Sequence, residues 1–82
     1  MKLALSPSTL EVLRTQYKLS PRQLEIANLI VDGQISNAKI AQSLGTTTGT
    51  VRQHIHLLYL KMGVDCKGNL ILKLLNIELA DK

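Results

Sequence analysis

The stretch "TTTGTVRQHIHLLYLKMG", Thr46 to Gly63, gathers an arginine, a glutamine, two histidines and a lysine without a single carboxylate. Arg grips guanine bidentately, Gln grips adenine, and His donates or accepts at a base edge or a phosphate. Other chemistries find less support. His54 and His56 are two residues apart, which on a helix separates them by about 200°, so they cannot share a metal as an i, i+4 pair does. Glu25 has no companion acid or nucleophile. With no nucleophile–base pair, carboxylate dyad or phosphate loop in the chain, neither an enzyme nor a cofactor is expected.

The charge distribution sharpens this picture. The 82 residues carry a net charge of +4, with a pI near 9.5. Between Asp32 and Asp65 there is no Asp or Glu, and the basic groups are Lys39, Arg52 and Lys61. A solvated helix face usually mixes acids with bases, whereas carboxylates would repel a polyanion. The chain's size adds a constraint: a domain this small buries only about 60 to 65% of its unfolded surface. One cysteine allows no internal disulfide, so reinforcement by a second subunit is to be considered. The N-terminal apolar run is too short for a signal peptide, and no run approaches the roughly 20 residues of a membrane span. A soluble, cytoplasmic protein with a reduced Cys66 is expected.

The elements that must position these residues are helices. Ser6-Pro7 and Ser20-Pro21 each put a capping residue before a proline at a first helical position. From Pro21, Leu24, Ile26, Ala27, Leu29, Ile30 and Val31 recur at helical spacing up to a stop at Gly33. Ser36 or Asn37 caps a short helix, "AKIAQSL", ended by Gly45. Val51, Ile55, Leu58 and Met62 follow at spacings of four, three and four, on one face of a helix that stops at Gly63. A fourth begins near Cys66 and carries "NLILKLLNIEL". Residues 8–18, with Leu10, Leu13 and Tyr17 on one side, form an N-terminal helical extension that could pack on the fourth helix. No stretch alternates strictly enough for a strand. The fold class is all-α.

Two helices joined by a short glycine-containing turn have the proportions of a helix-turn-helix, whose second helix enters the DNA major groove. With Val51, Ile55, Leu58 and Met62 inward, Arg52, Gln53 and His56 point outward. Leu57 and Leu60 share that outward side, where they could touch thymine methyls, cover a protein contact or have no role.

Leu19 to Val64 resembles the LuxR-type (GerE-like, FixJ/NarL-like) helix-turn-helix domain of bacterial transcription regulators. The resemblance rests on Leu19, Ser20, Pro21, Arg22, Glu25 and Ile26 at the opening, and on Ser36, Asn37, Ile40 and Ala41 at the turn. It continues with Thr50, Val51, Arg52 and His54, and ends on Lys61, Met62, Gly63 and Val64. It implies a four-helix domain over residues 19–79, preceded by the extension 1–18 and followed by a tail 80–82, with the third helix reading DNA and the fourth dimerising. Carried onto this chain, the base-reading positions are Arg52, Gln53 and His56. Phosphate contacts fall to Asn37, Lys39, Thr47, Thr48, Thr50 and Lys61, since a helix N-terminus suits phosphate. The resemblance also implies a structural ion pair for Glu25, with Lys61 or Arg52, and a capping role for Cys66. Cys66 beside Lys67 is a candidate redox sensor as well, against the commoner role of a small capping side chain. His54 should border the core or a phosphate.

The chain departs from the family pattern at Ala38-Lys39, which moves a positive charge about 100° round the helix. It departs again at Leu57 and Leu60, where the family usually has Asn and a basic residue.

The fourth helix is apolar on two faces: Leu70, Leu74 and Ile77 on one, and Ile71, Leu72, Leu75 and Leu79 on another. The second stripe should meet another subunit, unless the N-terminal extension covers it. The expected function is therefore a sequence-specific DNA-binding transcription regulator acting as a homodimer on a pseudo-palindromic site. Its expected partners are double-stranded DNA, a second copy, and a larger regulator or RNA polymerase, with no membrane. Only 18 residues precede Leu19, too few for a receiver or ligand-binding domain, so control is expected from abundance, dimerisation or another protein. The main alternative is a protein-binding antagonist that pairs with a larger LuxR-type regulator through the fourth helix. A sigma region 4-like fragment fits less well, because of the Gly63-Val64 ending and the apolar fourth helix.

Overall fold

The computed structural model describes residues 5–80. The first four residues of the expected extension and the last two of the expected tail lie outside that range. The chain forms α1 (Pro7–Thr15), α2 (Pro21–Val31), α3 (Asn37–Leu44), α4 (Thr48–Met62) and α5 (Lys67–Ala80). No strand occurs among the described residues, as the all-α reading requires.

Each helix starts where a hydroxyl or thiol can satisfy an amide that would otherwise lack a partner. Ser6 Oγ accepts from the Thr9 N–H at 3.3 Å, and Ser20 Oγ from the Gln23 N–H at 3.2 Å. The Gln23 side chain returns the bond, its Oε1 accepting from the Ser20 N–H at 2.9 Å, which completes a capping box. Ser36 and Thr47 cap α3 and α4 in the same way, and Cys66 Sγ accepts from the Asn69 N–H at the start of α5. The ends of α3 and α4 need glycine. Gly45 and Gly63 take φ of 66° and 70°, and the next amide in each case folds back to a carbonyl of the last turn.

One buried carboxamide joins two ends of the domain. Besides capping α2, Gln23 Oε1 accepts from Lys61 Nζ at 2.9 Å, and the same ammonium donates to the Lys18 carbonyl at 2.8 Å. Lys18 holds φ at 61°, a left-handed conformation that costs a side-chain-bearing residue about 1–2 kcal/mol. The start of α2 is thereby tied to the end of α4. This arrangement also corrects the expected ion pair. Glu25 pairs with neither Lys61 nor Arg52; it is exposed and meets Arg22, one turn earlier, at 3.2 Å. Lys61 is engaged elsewhere, and Arg52 lies about 180° from Lys61 around α4.

The core lies where α2, α4 and α5 converge, with α3 packed along α4. It is filled by Ile26, Ala27 and Ile30 from α2, Ile40 and Ala41 from α3, Val51, Ile55, Leu58 and Met62 from α4, and Leu70 and Leu74 from α5. Helix α1 buries Leu13 and packs mainly against α2. It reaches α5 through the Ser6 N–H, which donates to Glu78 Oε1 at 2.8 Å, and through Tyr17, whose ring lies beneath Lys73 Nζ. It leaves the second stripe of α5 open: Ile71 and Leu75 are half-buried, but Leu72 and Leu79 remain 61% and 65% exposed. Helix α5 runs to Ala80, the first residue of the segment expected as a tail.

The double use of Gln23 yields an ordered prediction. Ser20→Ala, which removes one cap, should cost about 1 kcal/mol. Gln23→Ala should cost more, by about 1–3 kcal/mol, because it also deprives Lys61 of an acceptor. Urea unfolding followed by circular dichroism measures both; equal losses would mean that the Lys61 bond adds nothing to stability.

Candidate nucleic-acid interface

Burial of Val51, Ile55, Leu58 and Met62 decides what α4 presents outward. Arg52, Gln53 and His56 are all exposed, and among the described residues none of them makes a hydrogen bond or ion pair within the chain. Every donor and acceptor on these three side chains is therefore open to an outside ligand. Gln53 and Leu60 lie most directly opposite the buried stripe, with Gly49 about 30° and Leu57 about 50° to either side of that line. Arg52 and His56 occupy the flank that faces the start of α5. An open cleft of about 480 Å³ is lined by Arg52, Gln53, His56 and Leu57.

On the α5 side, a second cleft of about 450 Å³ brings Asn37, Arg52 and His56 together with Tyr59, Cys66 and Lys67. Here the fold adds something that the linear charge pattern hides. Asp65, which bounds the acid-free run in sequence, lines this cleft, where its Oδ1 accepts from Asn69 Nδ2 at 3.1 Å. An acid-free segment is thus not quite an acid-free surface.

Lys67, considered in the sequence only as a neighbour of Cys66, is a structural clamp. Its ammonium donates to the Ile35 carbonyl and to Asn37 Oδ1, holding the α2–α3 loop against the beginning of α5. Partial burial lowers its pKa. Burial raises the pKa of Tyr59 nearby. Two carbonyl-type oxygens two residues apart, at Ile35 and Asn37, become a lysine site only after the chain turns, so nothing local in the sequence signals the clamp.

The remaining expected phosphate residues are spread more widely than the sequence suggests. Thr47, Thr48 and Thr50 cluster at the start of α4, with Thr47 Oγ1 donating to Thr50 Oγ1 at 3.0 Å. Asn37 joins the α5-side cleft. Lys39 is exposed in a separate cleft with Gly33, Gln34, Ile35, Ser36, Gln42 and Ser43, which no α4 residue lines. Lys61 is held by Lys18 and Gln23. His54 is half-buried, between the inner and outer faces. Cys66 is exposed and caps α5. Among the described residues no group of His, Cys, Asp or Glu could hold a metal ion, and no helix is long and apolar enough to cross a membrane.

A three-residue turn from α3 into a capped α4, whose free polar side chains project outward, is the geometry of a helix-turn-helix. Residues 17–74 match the family model described as GerE, bacterial regulatory proteins, luxR family. The chain belongs to the luxR family. No curated protein and no solved structure matches it. The luxR-family match spans more than half the chain, beginning after α1 and ending within α5, so α1 is an addition to the matched domain. Membership makes this a DNA-binding domain of the transcription-regulating type, and α4 is the second helix of its helix-turn-helix.

The clamp can be tested apart from any ligand. Lys67→Met keeps the aliphatic stem and removes both bonds. It should lower stability by about 1–3 kcal/mol and raise amide hydrogen exchange selectively in the loop at residues 33–37. Exchange that rises uniformly, or stays unchanged, would remove the clamp from the account of how α3 is positioned.

Proposed function

We propose that this luxR-family chain binds duplex DNA sequence-specifically, as a homodimer on a pseudo-palindromic site, and thereby regulates transcription in the bacterial cytoplasm. The observation that carries the proposal is the state of Arg52, Gln53 and His56: exposed on the recognition helix, with every hydrogen-bonding group unused by the fold. Arg52 and Gln53 read guanine and adenine edges respectively, and His56 bonds a neighbouring base. Asn37 and the threonines Thr47, Thr48 and Thr50 take phosphates around the start of α4, where free N–H groups favour anions. Lys39 and Lys61, on other sides of the unit, add outer phosphate contacts and positive field.

Dimerisation runs through Ile71, Leu72, Leu75 and Leu79. Two exposed leucines one face apart from the core have little reason to remain in water, and a two-fold axis along this stripe suits recognition helices about 34 Å apart, in successive major grooves. The same stripe supports a second reading, in which the chain pairs with a larger luxR-type regulator and blocks it; exposed Leu57 and Leu60, in place of groups that would hold DNA, favour it modestly. RNA polymerase is a further partner of the DNA-bound form.

Sequence selection from random duplexes, followed by gel-shift titration at two salt concentrations, tests the operator reading. A palindromic consensus should emerge, and Arg52→Ala and Gln53→Ala should each weaken binding to it by about 1–3 kcal/mol while leaving nonspecific binding nearly intact. Equal, weak binding by all three proteins would discard operator reading in favour of the antagonist.

The dimer has its own check. Leu72→Glu should give a monomer by sedimentation and lose affinity for the full palindrome by at least about tenfold, with half-site binding unchanged. A variant that stays dimeric would move the interface off α5.

A further inference from the structure

Resting on the DNA reading above, we infer that Leu57 is a specificity-determining residue that recognises the C5-methyl group of a thymine. Three observations converge on it. First, Leu57 is 47% exposed and follows Gln53 by one turn on the outward line of α4. Second, it lines an open cleft whose other walls are Arg52, Gln53 and His56, so it is the one apolar wall among polar ones. In the major groove the one apolar group that a base pair offers is the thymine methyl, which distinguishes A·T from T·A.

Third, Gly49 stands one turn before Gln53 on the outward side of α4. Its φ is not positive, and a Cβ built there would meet nothing closer than Thr47 Oγ1 at 4.0 Å. The fold therefore does not require glycine, and the residue weakens the helix relative to alanine. Its effect is external: between Thr48 and Thr50 it leaves a gap in the outward side of the first turn, so that no side chain at that position holds the following turns off the base edges. Leu57 belongs to those turns. Leu60, 66% exposed, lies a further turn along and does not line that cleft.

The placement also predicts where the thymine is. Four residues of helix rise span about 6 Å, or roughly two base-pair steps. The thymine should fall about one to three base pairs from the base whose identity depends on Gln53.

Deoxyuridine scanning of the selected site tests the inference. Each thymine is replaced by deoxyuridine, in symmetric pairs, and Kd is measured for wild type, Leu57→Ala, Leu57→Met and Leu60→Ala, with circular dichroism as a folding control. Loss of one buried methyl is worth roughly fourfold, so one symmetric pair should weaken wild-type binding about tenfold or more. Leu57→Ala should bind the thymine site less well and be insensitive to deoxyuridine at that pair. Leu57→Met and Leu60→Ala should keep the wild-type profile. A scan that is the same in wild type and Leu57→Ala, or a consensus without thymine near the Gln53-dependent base, overturns the inference and leaves operator reading standing. Loss of a purified larger regulator's binding on Leu57→Ala, with the scan unchanged, also overturns it and makes Leu57 a protein contact. Failure to select any sequence overturns both.

Discussion

Burial of one stripe, Val51, Ile55, Leu58 and Met62, is the constraint on which the rest of this molecule depends. Four apolar side chains at spacings of four, three and four fix the rotation of α4 about its own axis to within a fraction of a turn. Once that rotation is set, no freedom remains over which residues face outward. The inward stripe packs on α2, and α3 lies along the same helix, so the turn that delivers the threonine cluster to the start of α4 is held by the same contacts. Rotation alone is not enough, because a helix can still slide along its axis. The Gln23–Lys61–Lys18 bonds at one end and the Gly45–Thr47 turn at the other oppose that motion.

The charge economy follows the same division of labour. Residues 33–64 contribute Lys39, Arg52 and Lys61 and no acid, which is three of the four net positive charges. Elsewhere acids meet nearby partners: Glu11 with Arg14, Glu25 with Arg22, Asp65 with Asn69, and Glu78 with the Ser6 amide. Exposed ion pairs of this kind add little stability. The two ion pairs, Glu11 with Arg14 and Glu25 with Arg22, cancel charge on α1 and α2, which leaves the positive charge of residues 33–64 on α3 and α4. Asp65 limits the effect on one flank, where it lines the cleft that also holds Arg52, His56 and Lys67.

What was legible in the sequence was what depends on local rules. Ser-Pro starts, glycine stops and the α4 stripe are short-range signals with steric or hydrogen-bonding causes, and the starts of α1 and α2 and the ends of α2, α3 and α4 fall close to where they point, whereas α1, expected to reach residue 18, ends at Thr15. The outward position of Arg52, Gln53 and His56 follows from the same periodicity. Less legible were bonds whose partners are far apart in the chain. Lys61 is 43 residues from Lys18, and Lys67 is 32 from Ile35. Each uses a backbone carbonyl, which every residue possesses, so residue identity carries no signal of the pairing. The misplaced partner of Glu25 has the same origin: an exposed carboxylate finds the nearest arginine on its own helix, and the long-range lysine is drawn to acceptors at a helix junction instead.

The two uncovered leucines of α5 complete the physical argument from size. A domain of this length has a thin core, and α1 enlarges it by burying Leu13 and bridging α2 to α5. A helix added at that position could have been placed across Leu72 and Leu79 and would then have removed two exposed leucines from the surface. It lies instead along the flank of Val12, Tyr17 and Ile77, leaving the second stripe free. Packing on the monomer core and leaving apolar surface open fall to different faces of α5, the first through Leu70 and Leu74 and the second through Leu72 and Leu79. The exposed stripe is therefore better understood as a surface kept open beside an available cover than as a remainder that a small core failed to bury.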